Sequence, residues 1–347
     1  MSTSSKGLNK SMSILGLVKI WPLVRSLEGA RLQKVVSHGN VFYFRFRGGS
    51  LVFSTRRGLV PASSDISFPV EMGKVKWSSR IEGKRLENVA QIAGDRVVCL
   101  DFGKEKVMLE WVREGNIVLL SEDWKIKYVF VPKEMRDRSL KPGEVYRPPP
   151  RLGEIFSGDF EELYESFKSM ARRRAITVFS LVTSLPPDLV AEAMYREEIS
   201  LDIKVEALTF KQFRSIAMRG IDIFFESLSE YSKGYQAGDW IYPFKPTHLA
   251  MPVIEVDFQK IFPEELLRHI IMDVTPRRRT AIPILEKTLQ DHIQRVKLLE
   301  KHISGVEKII LEYRTLIEEK KPWSHIESEL KEKYPIIKKV DPSRPLI

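Results

Sequence analysis

Between Pro142 and Pro150 the chain reads Pro-Gly-Glu-Val-Tyr-Arg-Pro-Pro-Pro, and the period of its apolar residues changes across that run. Consecutive prolines hold an extended, semi-rigid backbone, so no helix or strand continues through them. Upstream, apolar and polar residues alternate with period two over Leu32–Ser37, Val41–Arg47 and Leu51–Thr55. A second strand-rich block follows at Arg85–Ile92, Arg96–Phe102, Val107–Trp111, Asn116–Leu120 and Ile126–Val131. Turn sequences such as His38-Gly39-Asn40 and Gly48-Gly49 join them. Short strands on short turns predict an antiparallel sandwich or barrel. An amphipathic helix over Ser13–Leu27 precedes them, with Ser13 as N-cap, a kink near Pro22 and an end at Gly29.

Downstream the pattern is helical: Asp159–Ala171, Ala175–Leu181, Leu189–Arg196, Lys204–Ala207 leading into Phe210–Ile216, and Ile221–Tyr231. The Pro- and aromatic-rich stretch Gln236–Val256 is expected to wrap back over a core. Leu285, Leu289, His292, Val296, Leu299, Ile303, Val306, Ile310, Tyr313 and Ile317 then follow alternating steps of four and three, an a/d seam. At ~1.5 Å per residue this seam is roughly 48 Å long, which predicts a projecting coiled-coil arm; the alternative is one long surface helix packed on its own domain. Gly305 within it costs on the order of 1 kcal/mol relative to Ala. The reading is an α+β chain of three parts: a β-sandwich over residues 1–147, a helical domain over 148–270, and the arm over 271–347.

A chain of 347 residues with 43% hydrophobic and 10% aromatic content can bury more than one core. Its 56 Lys plus Arg against 46 Asp plus Glu leave +10, which suits a polyanionic partner. Cys99 is the single cysteine, so a disulfide framework and a cysteine-based zinc site are excluded; in the strand Val97-Val98-Cys99-Leu100-Asp101-Phe102 it reads as a small buried hydrophobe. Six scattered histidines give no metal-ligand spacing. The Ser- and Lys-rich start lacks the apolar core of a signal peptide, and no apolar run reaches the ~20 residues of a membrane span. A cytoplasmic protein without cofactor, metal or membrane partner is expected.

No Gly-rich phosphate loop, Gly-x-Ser-x-Gly or His-Glu-x-x-His occurs, and a non-enzymatic role is expected. Asp95-Arg96 follows Gly94 in a turn between two strands; by itself the pair is an ordinary solvated turn. Glu110 and Asn116 flank the next hairpin, Glu-Trp-Val-Arg-Glu-Gly-Asn. Two arginine runs, Arg172-Arg173-Arg174 and Arg277-Arg278-Arg279, lie at helix boundaries and read as phosphate contacts or as solvated helix ends.

Together, Leu27–Val35 (LEGARLQKV), Leu86–Val98 (LENVAQIAGDRVV), Glu110–Leu120 (EWVREGNIVLL) and Pro142–Pro150 resemble the N-terminal region of the NFACT family, of archaeal type. The resemblance spans about the whole chain; its specific part is Q-x-x-x-D-R followed by E-x-x-x-x-G-N. It implies a β-sandwich similar to the N-terminal domain of formamidopyrimidine-DNA glycosylases, then a helix-hairpin-helix-like domain and a coiled-coil helix. It implies a ribosome quality-control factor that binds tRNA and the large ribosomal subunit, with its rRNA, where a stalled peptidyl-tRNA is held. In full-length form such proteins support C-terminal tailing of the nascent chain. Asp95 and Arg96 match the family pair associated with tRNA binding, and Glu110 and Asn116 the neighbouring motif. The sequence departs from the glycosylases by lacking their Pro-Glu start and zinc finger. It departs from the family by reading Ser184-Leu185-Pro186-Pro187 where a Gly-x-Gly hairpin is expected, and Trp77-Ser78-Ser79-Arg80-Ile81 in place of Leu-Arg-Lys. The rival functions are a glycosylase-like enzyme and a scaffold that self-associates through the arm.

Overall fold

A computed structural model describes residues 11–62, 66–149, 159–335 and 337, the side chains of 276–289 and 291 excepted. Helix α1 (Ile14–Arg25) starts on Ser13, whose Oγ accepts from the Gly16 amide at 3.1 Å, and it accommodates Pro22 without ending there. Strands β1 (Leu32–His38), β2 (Val41–Phe46), β3 (Gly49–Ser54), β4 (Gly58–Ala62) and β5 (Gly73–Lys74) form an antiparallel sheet in the order β4-β3-β2-β1-β5. The first three coincide with expected strands. The two that the sequence reading missed are the edges, and an edge is where a proline such as Pro61 is tolerated, because it has no amide to give a neighbour.

The second sheet contains β6 (Asn88–Gln91), β7 (Val97–Asp101), β8 (Glu105–Glu110), β9 (Asn116–Ser121) and β10 (Ile126–Val129), all antiparallel, in the order β10-β9-β8-β7-β6. It is buried on both faces. Val98, Leu100, Val107, Leu109, Ile117 and Leu119 point into the core shared with the first sheet. Val97, Cys99, Met108, Val118 and Leu120 point the other way, onto Ile126, Leu140 and Tyr146. Aromatic pairs join the sheets, Phe42 edge-on to Phe130 at 5.1 Å and Phe46 stacked with Phe102 at 6.5 Å. Cys99 is the buried hydrophobe expected, its thiol pushed up to about 12 by burial, with Asp101 adding to it. A short ribbon of β11 (Lys133–Glu134) and β12 (Ser139–Leu140) follows.

Helices α2 (Phe160–Lys168), α3 (Ala175–Thr183), α4 (Pro187–Arg196) and α5 (Phe210–Ser229) enclose a second core around Phe167, Phe179 and Phe213. The two helices expected on either side of Gly220 are one helix. A Cβ at Gly220 would stand 2.7 Å from Leu185 Cδ1 and 3.3 Å from Leu189 Cδ2, so this glycine serves close packing and does not mark a break. The stretch expected to wrap back does so as β13 (Lys233–Ala237), β14 (Trp240–Tyr242) and β15 (Val253–Asp257), in the order β14-β13-β15. Trp240 and Ile241, with Phe258, Phe262, Leu266 and Ile270 of α6 (Phe258–Asp273), belong to the core of the two large sheets. Lys19 of α1 is buried among these parts, its Nζ donating to the Lys233 and Pro243 carbonyls at 2.5 and 2.9 Å. Desolvation draws it down to about 8.

The chain divides into two units, Met1–Thr275 and Pro276–Ile347. In the second, α7 (Pro276–Glu318) runs 43 residues and α8 (Trp323–Lys333) packs Ile326 and Leu330 on Leu316. Seam residues Val296, Leu299, Ile303 and Val306 stay more than half exposed. The architecture is α+β with antiparallel sheets and eight α-helices among the described residues.

Candidate nucleic-acid interface

The β6–β7 hairpin turns through Ala93 and Gly94, both left-handed at φ +52° and +57°, and closes with the Asp95 amide donating to the Ile92 carbonyl at 3.2 Å. Two successive left-handed residues match the twist of a hairpin, and Ala93 holds that geometry without a glycine's freedom. Gln91 Nε2 donates to the Asp95 carbonyl at 3.0 Å, bracing the turn from inside. Asp95 Oδ1 accepts from the Arg96 amide at 2.6 Å and lies 3.9 Å from Arg96 Nε. The two side chains keep 23% and 33% of their surface open. Burial draws the Arg96 guanidinium below its ordinary value against the charge of Asp95, yet an arginine stays charged at physiological pH. The pair is a partly open carboxylate–guanidinium edge with donors and acceptors to spare.

The next turn, between β8 and β9, is built as a support. Glu110 is 1% exposed and receives two bonds of 2.8 Å from the Arg138 guanidinium and one of 2.5 Å from the Tyr146 hydroxyl. Arg138 also donates to the Arg147 carbonyl at 3.0 Å. Burial and the adjacent Glu110 carboxylate push the Tyr146 phenol far up. Asn116, also 1% exposed, donates from Nδ2 to the Val131 carbonyl at 2.8 Å. Its Oδ1 accepts from the Ile117 and Val131 amides at 3.0 and 3.1 Å. With these atoms enclosed and engaged, Glu110 and Asn116 hold the hairpin ends in place and differ in this from the partly open Asp95 and Arg96. Gly115 fixes the same loop, because a Cβ there would lie 2.0 Å from the Thr55 carbonyl oxygen and 2.6 Å from that of Glu110.

Three turns are thereby fastened together. The Trp111 amide donates to the Arg96 carbonyl at 3.1 Å, and Trp111 Nε1 to the Met12 carbonyl at 2.9 Å. The Met12 amide donates to the Arg57 carbonyl at 2.7 Å. Arg57 in turn grips Asp273 at 2.6 and 2.9 Å. Sequence reading missed Arg138, Tyr146 and Trp111. The one available signal was that a carboxylate on an apolar strand needs a buried cation.

Arg172, Arg173 and Arg174 lie exposed between α2 and α3, on the helical core rather than at the turn. Arg174 pairs with Asp202 at 2.5 Å, both side chains being exposed. Arg277, Arg278 and Arg279 fall in the first turn of α7, and their side chains lie outside the described residues. The α3–α4 hairpin bends by 118° through Ser184 at φ +61°. Its Leu185 amide donates to Thr183 Oγ1 at 3.3 Å, and Pro186 and Pro187 have no amide hydrogen.

Residues 78–249 match the model of a family described as the NFACT N-terminal and middle domains. Among solved structures, the fibrinogen binding protein from Staphylococcus aureus is similar over 71% of this chain and 95% of its own, at 17% identity and a TM-score of 0.51. The N-terminal part of the fibronectin/fibrinogen-binding protein from Streptococcus suis aligns over 76% and 100%, at 17% identity and a TM-score of 0.49. The first likeness speaks for the fold alone. No curated protein matches the chain.

Proposed function

The chain belongs to the NFACT family through its N-terminal part, and on that premise we propose that it serves as a ribosome-associated quality-control factor. It binds tRNA and the large ribosomal subunit carrying a stalled peptidyl-tRNA, without catalysis of its own, in the cytoplasm. In full-length form it supports tailing of the nascent chain. The observation that carries this reading is the Asp95–Arg96 edge, partly open on a hairpin whose footing is buried and satisfied. A carboxylate beside a guanidinium reads base edges and sugar hydroxyls by accepting from amino groups and donating to ring acceptors.

The finer architecture belongs to the same proposal. The two large sheets act as a glycosylase-like sandwich, α3 and α4 as a helix-hairpin-helix, and α7 as a coiled-coil arm. The arm's support is the exposed a/d seam, which is also the surface through which self-association would run. Charge reversal, Arg96→Glu, is the test. Binding to tRNA and to large subunits should fall at least tenfold with the thermal midpoint unchanged; undiminished binding would remove the turn from the interface.

A further inference from the structure

We propose that Arg56 and Arg113 form a two-point phosphate clamp beside the Asp95–Arg96 turn, gripping the backbone of the tRNA whose bases the turn reads. The inference rests on the proposed tRNA-binding role of that turn. Nearly every charge in this part of the molecule is matched: Arg57 with Asp273, Arg96 with Asp95, Arg138 with Glu110, and Lys133 with Glu114. Arg56 and Arg113 are exposed and form no ion pair among the described residues. They are the uncompensated cations of the three fastened turns.

Their positions are fixed by rigid neighbours. Arg56 follows Thr55, which is 3% exposed and whose carbonyl presses on Gly115. Arg113 lies two residues from that glycine and two from Trp111, whose amide is bonded to the Arg96 carbonyl. It adopts φ +56°, a left-handed conformation that arginine takes only where its surroundings impose it. Two guanidinium groups on immobile stems lose little freedom when they bind, and each suits a phosphate through paired hydrogen bonds. The Asp95 carboxylate on the adjoining turn selects the partner. An acidic peptide would bring its charges against Asp95, whereas RNA offers phosphates to the arginines and base amino groups to the aspartate.

The clamp and the reading edge separate in a titration of the full chain with elongator tRNA between about 50 and about 200 mM salt. Arg56→Gln and Arg113→Asn, the latter chosen because asparagine accepts a left-handed backbone, should each shrink the fall in affinity over that range by about threefold, the effect of one lost phosphate contact. Lysine at either position should restore it. Asp95→Asn should weaken binding while leaving the salt dependence as in the wild type. If Asp95→Asn weakens binding but the arginine variants keep the wild-type salt dependence, the clamp is overturned and the tRNA role stands. A wild-type chain that does not bind tRNA overturns both.

Discussion

The β6–β7 turn and the α3–α4 hairpin are two sharp reversals, each with a left-handed non-glycine residue, and they spend their polar groups in opposite ways. At the first, the backbone is satisfied from within by Gln91 and Ile92, and the Asp95 and Arg96 side chains are left partly open. At the second, a side chain takes the Leu185 amide, and Ser180 Oγ donates to the Leu185 carbonyl at 2.5 Å. Pro186 and Pro187 contribute no donor of their own. A turn can bind an anion only with groups its own fold has not engaged. By that criterion the β-turn is a recognition edge and the helical hairpin is a packing joint. Each also rests on a buried carboxylate, Glu110 below the turn and Glu192 on α4 below the hairpin.

The strongest way to break the contrast is Glu110→Gln. It leaves the Arg138 guanidinium, 8% exposed, without its counter-charge, and removal of one partner of a buried pair costs about 3–5 kcal/mol. Urea denaturation should register that loss, and tRNA affinity should fall with it because the hairpin loses its footing. A wild-type denaturation midpoint would mean the lattice does not support the turn.

Acid provides the next largest effect, on the hairpin side. Burial alone would raise the Glu192 pKa, but His248, Thr247 and Arg196 hold its carboxylate down to about 2 from an ordinary 4.5. The bonds are 2.8 and 3.0 Å from His248 Nδ1 and amide, 2.5 Å from Thr247 and 2.7 Å from Arg196. A folded pKa below the unfolded one gives stability that is present above pH 4.5 and lost as pH falls through the folded value near 2, here about 3 kcal/mol in all. Glu192→Gln should flatten that part of the stability–pH curve, followed by circular dichroism; an unaltered acid limb would mean Glu192 is not the anchor.

The smallest effect sharpens the comparison most. Ser184→Gly relieves a left-handed serine and should stabilise the chain by roughly 0.5 kcal/mol, the gain being offset in part by glycine's greater freedom when unfolded. It should leave tRNA affinity unchanged, because restoring the glycine restores no free amide. A gain in affinity would make the hairpin a second phosphate site.

The sequence made the long strands legible because each is a run of β-branched, aromatic and other apolar residues bounded by turn residues. It hid β4 and β5, which are short edges, and α6, where Pro263 interrupts the helical pattern although the helix continues past it. It split α5 at Gly220 because a glycine in a helix signals a break unless the neighbour packed against it is known. At the site, Asp95 and Arg96 were readable as a turn because the determinants are local. The inward direction of Glu110 and Asn116 was not, since their partners Arg138 and Val131 lie 28 and 15 residues along the chain.

Gly115 gives the glutamate-to-asparagine motif a different meaning. With no room for even a methyl group against Thr55, any protein that docks this loop in the same way must spell glycine there. The motif is then a spacer gauge: it sets how far the loop may stand from its neighbour, and a chain carrying another letter at that place would signal that the three turns no longer touch.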